Sequence, residues 1–202
     1  MSSPTPELVL ASTSAYRKLL LERLQLPFTT ASPKVDEMPR AGESPRALAQ
    51  RLATAKSEAV AQAHPNACVI GSDQVAECDD QILGKPGTVE TAWAQLSICS
   101  GRIVNFHTAV RVTCQATGFS ELHVDLTRVK FRVLESAEIE RYVELDQPLD
   151  CAGSFRSEGL GITLFEHLEC EDPTGLIGLP LIWVAGALRR CGLNSLTARP
   201  CP

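Results

Sequence analysis

Two long runs of alternating, β-branched residues constrain the fold of this chain more than any other feature. They are "RIVNFHTAVRVTC" (102–114) and "ELHVDLTRVKFRVL" (121–134), and the glycine-containing turn "QATGFS" separates them. Alternation of apolar and polar residues with β-branched enrichment is typical of strands that bury one face. The two runs therefore predict a pair of long antiparallel strands.

Shorter apolar runs and helical patterns surround this pair. Residues 8–11 predict a buried strand, and the apolar spacing that follows Ser14 predicts a helix over residues 15–24 with this serine as its N-cap. Ser44 before Pro45 predicts the start of another helix. The segment "ACVIGSD" predicts a further strand that ends in a carboxylate. Long central strands with interspersed helices indicate an α/β fold in which helices flank a twisted mixed β-sheet.

The length and charge of the chain limit its organisation and its partners. It has 202 residues and a formal net charge of −5. This length suits one domain, which we expect over residues 8–197, with loose termini at 1–7 and 198–202. The negative charge disfavours a broad nucleic-acid surface. No apolar run approaches the roughly 20 residues of a membrane span. We therefore expect neither a nucleic acid nor a membrane as a partner.

The eight cysteines have irregular spacing, without a Cys-x-x-Cys pair or a Cys/His cluster of the zinc type. The N-terminal sequence "MSSPTPE" lacks the basic and apolar regions of a signal peptide. Both observations predict a cytoplasmic protein whose cysteines are reduced thiols, since disulfides persist mainly in oxidising compartments.

The stretch "LASTSAYRKLL" (10–20) joins a predicted strand to a predicted helix and is the first candidate site. A helix N-terminus presents free N–H groups and the positive end of the helix dipole. Ser12 and Ser14 add hydroxyl groups, and Arg17 adds a guanidinium fork that suits phosphate. The alternative is a capping serine, a strand-ending serine and a solvated arginine, which are common features.

Carboxylates and lysines elsewhere could complete a phosphate or metal site. Asp73 follows an apolar strand, where α/β proteins gather ligands, and could bind a metal or activate water. Asp36 and Glu37 lie in a polar loop and could supply a second metal-facing carboxylate. Lys56, beside the apolar face of its helix, and Lys85, in "GKP", could reach phosphates. The alternatives are a turn aspartate, solvated loop acids and solvated lysines.

The glycine-rich segment "GSFRSEGLG" (153–161) predicts a flexible binding loop that carries Glu158. It is not a dinucleotide-binding fingerprint, because Leu164 stands where the third glycine belongs. The "GKP" segment is not a Walker A motif, because Pro86 occupies the Ser/Thr position. These departures count against NAD enzymes, kinases and P-loop NTPases.

Taken in order, the motifs of the chain resemble those of the Maf family of nucleoside triphosphate pyrophosphatases. The motifs lie between residues 8 and 181 and are "LASTSAYRKLLL", "VDE", "LATAK", "GSDQV", "GKP", "SGR", "FHTAV", "CAGSF" and "GLPL". The resemblance implies a two-lobed α/β fold with a central cleft over the mixed sheet, and a homodimer. It also implies hydrolysis of a nucleoside triphosphate to monophosphate and pyrophosphate, with a divalent metal cation, Mg²⁺ or Mn²⁺.

The resemblance assigns a role to each matching position. Asp73 matches the catalytic acid and, together with Glu37, the metal ligands of the family. The substrate-binding positions are those of Ser12, Arg17, Lys56 and Lys85.

Three further positions match the family's specificity determinants, and here they are Tyr16, Gln74 and Glu158. This trio resembles the branch that acts on 7-methyl-GTP, which usually has tryptophan at the first position. An aromatic ring attracts a cationic 7-methylguanine, and Glu158 could accept hydrogen bonds from guanine N1–H and N2–H. The alternatives are the branch that acts on dTTP and UTP, which carries a basic residue, threonine and glutamine there, or a non-catalytic nucleotide-binding regulator of cell division.

Overall fold

The computed structural model describes residues 6–197 of the chain. Of the predicted loose termini, residues 1–5 and 198–202 lie outside the described residues. Glu7 belongs to the predicted loose N-terminus but is tied to the sheet, since its carbonyl accepts a 2.7 Å hydrogen bond from the backbone N–H of Cys68. Within 6–197, none of the helices has the length and apolar character needed to cross a membrane.

Seven strands form one mixed, open sheet, and five α-helices pack around it. The strands are β1 (Leu8–Ala11), β2 (Thr29–Thr30), β3 (Cys68–Cys78), β4 (Gln81–Leu83), β5 (Ile103–Cys114), β6 (Phe119–Phe131) and β7 (Phe165–Glu169). The helices are α1 (Ala15–Glu22), α2 (Pro45–Ala61), α3 (Val89–Cys99), α4 (Ser136–Asp146) and α5 (Leu181–Arg190). The predicted α/β fold with a mixed sheet flanked by helices is confirmed.

The sheet has the strand order β2-β1-β3-β5-β6-β7, and β4 also pairs with β3. Strands β2, β1 and β3 are parallel, whereas β5, β6 and β7 continue the sheet in antiparallel pairs. The two long alternating runs form β5 and β6, which pair from Ile103↔Lys130 to Cys114↔Phe119. The helix starts predicted at Ser14 and Ser44 are also confirmed, because each serine accepts a hydrogen bond from a first-turn N–H of its helix.

Strand β3 is longer than the sequence predicts and has a gap along one edge. The prediction of a strand end at Asp73 is wrong, because the residues after Asp73 keep pairing with β5 and carry the strand to Cys78. On its other edge, β1 pairs with Cys68–Gly71 and β4 pairs with Ala76–Cys78. Residues 72–75 lie between these two pairings. The acid therefore sits in the middle of β3, at a gap just beyond the carboxyl end of its parallel neighbour β1.

The two largest apolar clusters lie at opposite ends of the long strands, which gives the fold its two lobes. Val110 and Val112 of β5 belong to a core built with α1 and α5. Val104 and Phe106 of the same strand belong to a second core built with α3 and α4. The middle of β3 and β5 therefore lies where the lobes meet, at the level of the gap.

A disulfide joins Cys68, at the start of β3, to Cys191, directly after α5. The expectation that all cysteines are reduced is wrong for this pair. The two residues are 123 positions apart in the chain, and only the packing of α5 against the core that contains Ile70 brings them together. Sequence spacing could not reveal that contact. The remaining described cysteines are free thiols: Cys78, Cys99, Cys114, Cys151 and Cys170.

Candidate active site

A cleft of about 910 Å³ lies over the gap in β3, between the two lobes. Its volume is that of a small-molecule or nucleotide site. The walls of the cleft contain most of the residues that the sequence predicts for the site, and these are Ser12, Tyr16, Arg17, Glu37, Lys56, Asp73, Gln74, Lys85 and Glu158. Asp36 does not line the cleft; it is exposed and accepts a 3.0 Å hydrogen bond from the backbone N–H of Met38. The fold therefore gathers residues from several separate segments into one place.

The centre of the cleft is an ion pair between Lys56 of α2 and Asp73 of β3. The Nζ atom of Lys56 lies 2.6 Å from Oδ1 of Asp73 and 2.7 Å from Oε1 of Glu37. The lysine and the aspartate are only 6% and 8% exposed, so the solvated alternative for Lys56 is wrong. One ammonium thus bridges the two carboxylates that the family resemblance assigns to a metal.

Close packing of α2 on β3 makes this pair possible. A Cβ atom at Gly71 would lie 2.5 Å from the backbone nitrogen of Ser57 and closer still to the carbonyl oxygen of Ala53. Only glycine therefore permits the helix to approach the strand so closely. Lys56 lies between those two helical residues and is carried onto the carboxylate of Asp73.

The loop that carries Glu37 is fixed by a residue that sequence reasoning missed. Arg51 of α2 donates from Nε to Glu43 (2.6 Å) and from Nη2 to the carbonyl oxygen of Met38 (2.9 Å). Its hydrogen bonds hold the pKa of Glu43 at about 2, so the pair stays charged at neutral pH. Arg51 looks like an ordinary solvated arginine in the sequence, because its partners lie in an irregular loop.

The turn between β1 and α1 presents polar groups to the cleft. Ser14 accepts a 3.4 Å hydrogen bond from the backbone N–H of Arg17, and its own N–H donates to Oγ of Ser12 (3.1 Å). The Nε atom of Arg17 donates to the carbonyl oxygen of Gly178 (2.9 Å). Burial lowers the pKa of Arg17, while the charges of Asp73 and Glu37 act in the opposite direction. Since Nε anchors the guanidinium, its terminal nitrogens are the atoms left to meet an anion.

Gln74 is held against the segment that precedes α5. Its Nε2 atom lies 2.9 Å from Oγ1 of Thr108, 3.0 Å from the carbonyl oxygen of Gly175 and 2.9 Å from that of Leu176. The amide nitrogen is thus used within the protein. Its amide oxygen is the group that can accept a hydrogen bond from a ligand.

The other two specificity candidates differ in how firmly they are held. The hydroxyl of Tyr16 lies 3.5 Å from Oδ1 of Asp150 and 3.8 Å from Sγ of Cys151. Burial, followed by the neighbouring thiol, raises the pKa of Tyr16 to about 12, so the phenol is neutral at physiological pH. Glu158 is exposed, and Ser157 contacts its carboxylate at 3.3 Å. Lys85 is also exposed on the cleft wall.

A second network, also missed from the sequence, anchors the glycine-rich loop to α4. The Nη2 atom of Arg156 contacts the carboxylate of Asp146 at 2.5 Å and its carbonyl oxygen at 2.6 Å. Tyr142 donates to the same carboxylate (2.9 Å) and accepts from the backbone N–H of Arg156 (3.1 Å). Hydrogen bonds with Asp146 raise the pKa of Arg156. Arg156 also lines the cleft, but its charge is matched by this aspartate.

The carboxylates at the centre suit a hard divalent cation. Asp73 and Glu37 each use one oxygen toward Lys56, which leaves a second oxygen on each. Mg²⁺ typically binds one or two carboxylates together with substrate phosphates rather than a complete protein cage. The donor set therefore fits Mg²⁺ or Mn²⁺ that arrives with a polyphosphate.

Comparison with known proteins places these features in a family context. A family described as Maf-like protein matches residues 7–191 of the chain. A 7-methyl-GTP pyrophosphatase from Xanthomonas oryzae pv. oryzae is 57% identical over 190 residues, which is 94% of this chain and 98% of the relative. A protein of the same name from Aromatoleum aromaticum is 57% identical over 187 residues, 93% of this chain and 96% of the relative. A third, from Albidiferax ferrireducens, is 50% identical over 199 residues, 98% of this chain and all of the relative.

Proposed function

The chain belongs to the Maf-like protein family, and on that basis we propose that it hydrolyses 7-methyl-GTP to 7-methyl-GMP and pyrophosphate. The observation that carries the proposal is the buried Lys56–Asp73 pair at the floor of a cleft that also contains Arg17 and the family's other matching residues. Relatives that are 50–57% identical over nearly their whole length bear the name 7-methyl-GTP pyrophosphatase.

In the proposed reaction, water attacks the α-phosphorus and the bond between that atom and the α–β bridging oxygen breaks. Asp73 orients the water and accepts its proton, as a positioned carboxylate can. Pyrophosphate leaves with the bridging oxygen. Lys56 and Arg17 stabilise the negative charge that develops on the phosphates, and such electrostatic stabilisation accounts for much of the rate enhancement of many enzymes.

The phosphates are bound where positive charge and free N–H groups meet. The start of α1, with Ser12 beside it, offers hydrogen-bond donors and the positive end of the helix dipole. Lys85, exposed on the opposite side of the gap after β4, can move to meet the leaving pyrophosphate. Asp73 and Glu37 would hold Mg²⁺ or Mn²⁺. The bound metal would supply charge neutralisation at the phosphate oxygens.

The base is proposed to lie against Tyr16, with Gln74 and Glu158 at its edge. A cation over a tyrosine face gains about 0.5–2 kcal/mol, and N7-methylation gives guanine that charge. Glu158 is an exposed carboxylate with room to move, so it can accept from N1–H and N2–H of guanine. Uracil and thymine offer a single N–H flanked by carbonyl oxygens. One of these oxygens would face the carboxylate of Glu158, and the two acceptors would repel each other.

The test is product analysis with a panel of 7-methyl-GTP, GTP, UTP and dTTP, each with Mg²⁺ or Mn²⁺. We expect 7-methyl-GMP and pyrophosphate in equal amounts, with 7-methyl-GTP as the best substrate. In water enriched in ¹⁸O, the label should appear in the monophosphate and not in pyrophosphate. Orthophosphate as the product, or preference for UTP and dTTP, would contradict the proposal. Binding without turnover of any member of the panel would instead favour a non-catalytic nucleotide-binding protein.

The family resemblance also leads us to propose a homodimer. Light scattering coupled to size-exclusion chromatography tests this point directly. The chain has a mass of 21.8 kDa, so the proposal requires a particle of twice that mass, and a particle of one chain's mass at micromolar concentration would contradict it.

A further inference from the structure

Asp150 places an unassigned negative charge at the base end of the cleft. It lies in the segment between α4 and the glycine-rich loop and lines the cleft. Its Oδ1 atom is 3.5 Å from the hydroxyl of Tyr16 and 3.4 Å from the thiol of Cys151. The residue is exposed, and within residues 6–197 its carboxylate takes part in no ion pair. A carboxylate thus faces the edge of the ring on which the base is proposed to stack.

The neighbouring charges do not cancel this one. Arg156 of the glycine-rich loop also lies beside the hydroxyl of Tyr16, but its guanidinium is bound by Asp146. Glu158, on the same wall, also has no cationic partner in the described part of the chain and is contacted by Ser157. The base end therefore carries an excess of negative charge, whereas at the phosphate end the charges of Arg17 and Lys56 are matched by those of Asp73 and Glu37.

We propose that Asp150 is a further specificity-determining residue, which favours a purine base with a positive charge over the same base without it. This inference rests on the proposed function. A base stacked on Tyr16 would lie within about 8 Å of the carboxylate, which is the Debye length at physiological ionic strength. The attraction between the cationic base and the carboxylate is therefore only partly screened by salt. GTP is the matched ligand, because it differs from 7-methyl-GTP by the methyl group and the charge that it brings.

The experiment compares kcat/KM for 7-methyl-GTP and for GTP in the full-length enzyme. Asp150→Asn should lower the ratio of the two values about 2- to 5-fold, the range expected for an exposed ion pair. Asp150→Lys should lower the ratio about 4- to 25-fold, because reversing the charge doubles the change in interaction free energy and so squares the fold-change. Salt should reduce the preference of the parent enzyme toward that of Asp150→Asn.

Two control variants separate a charge effect from other roles. Glu140→Gln removes an exposed carboxylate from α4 at a position outside the cleft, and it should leave the ratio unchanged. Tyr16→Phe removes the hydroxyl beside Asp150 but keeps the ring and the carboxylate. Whatever it does to turnover, this change should keep the ratio within about twofold of the parent value, since the charge is still present.

The inference is overturned if Asp150→Asn and Asp150→Lys keep the parent ratio. It is also overturned if Tyr16→Phe lowers the ratio as much as Asp150→Asn, because Asp150 would then act by positioning the tyrosine. Failure of the proposed function looks different: the parent enzyme would release no pyrophosphate from 7-methyl-GTP. In that case, the role of Asp150 is tested by the Kd values of 7-methyl-GMP and GMP. The parent protein should bind 7-methyl-GMP more tightly than GMP, and Asp150→Asn should reduce this preference.

Discussion

Replacing Lys56 with methionine should destabilise the fold as well as reduce turnover. The side chain is 6% exposed and its ammonium contacts Asp73, which is 8% exposed. Removing one member of a buried ion pair leaves the other charge uncompensated, which typically costs about 3–5 kcal/mol. Glu37 adds little to this loss, because its side chain is 60% exposed and can be solvated. In a chain of 202 residues, the expected decrease in Tm is about 6–20 °C.

Urea unfolding and thermal melts at neutral pH, without divalent cation, measure this effect. Lys85→Met is the matched control, because Lys85 lines the same cleft but is exposed, and its replacement should change stability by less than about 0.5 kcal/mol. Combining Lys56→Met with Asp73→Asn removes both charges and should recover much of the loss. The reasoning is refuted if Lys56→Met melts within about 2 °C of the parent, or if the double variant is no more stable than the single one.

Three further predictions concern pH, redox state and the base. Burial raises the pKa of Asp125, so its ionisation lowers the free energy of unfolding as pH rises above about 4. Asp125→Asn should therefore raise Tm at neutral and higher pH, and an equally large increase in Tm near pH 4 would show that ionisation of Asp125 is not the reason. Reduction of the Cys68–Cys191 disulfide should cost about 2–4 kcal/mol and lower Tm in dithiothreitol, whereas Cys191→Ser should melt at the same temperature with and without reductant. Tyr16→Arg should lower kcat/KM for 7-methyl-GTP relative to UTP about 2- to 30-fold, the worth of the lost cation–π contact, and an unchanged ratio would show that the tyrosine only packs against its neighbours.

Features set by neighbouring residues could be predicted from the sequence. The alternation of β5 and β6 depends on a period of two, and the caps at Ser14 and Ser44 depend on hydroxyl groups three residues before the N–H groups that they bind. The order of short motifs also indicated residues from separate segments, and Ser12, Arg17 and Asp73 are among those that line the cleft. Each of these signals is contained in a short window of the chain.

Features created by long-range packing could not be predicted. The burial of Lys56 depends on Gly71 allowing α2 to approach β3, and a lysine beside an apolar helix face looks solvated in the sequence. The disulfide between Cys68 and Cys191 depends on where α5 docks. The proposed role of Asp150 depends on its contact with the hydroxyl of Tyr16, which is 134 positions away in the chain.

The continuation of β3 beyond Asp73 is a different kind of error. An apolar run followed by serine and aspartate suggests a strand end, because polar residues often close buried strands. In the fold, pairing with β5 carries the strand through this point, whereas the pairing with β1 stops at Gly71. The acid does lie beyond the carboxyl end of a parallel strand, but that strand is β1.

The proposed mechanism is tested most sharply by pyrophosphate release from 7-methyl-GTP, measured side by side for the parent enzyme and Asp73→Asn with Mg²⁺. The parent should release pyrophosphate and 7-methyl-GMP in equal amounts. Asp73→Asn should keep its circular dichroism spectrum and lose at least ~10²-fold in turnover, the usual scale for removing a general base. Near-parent turnover by a folded Asp73→Asn enzyme would contradict the mechanism, because the reaction would then be carried by a group other than the buried aspartate.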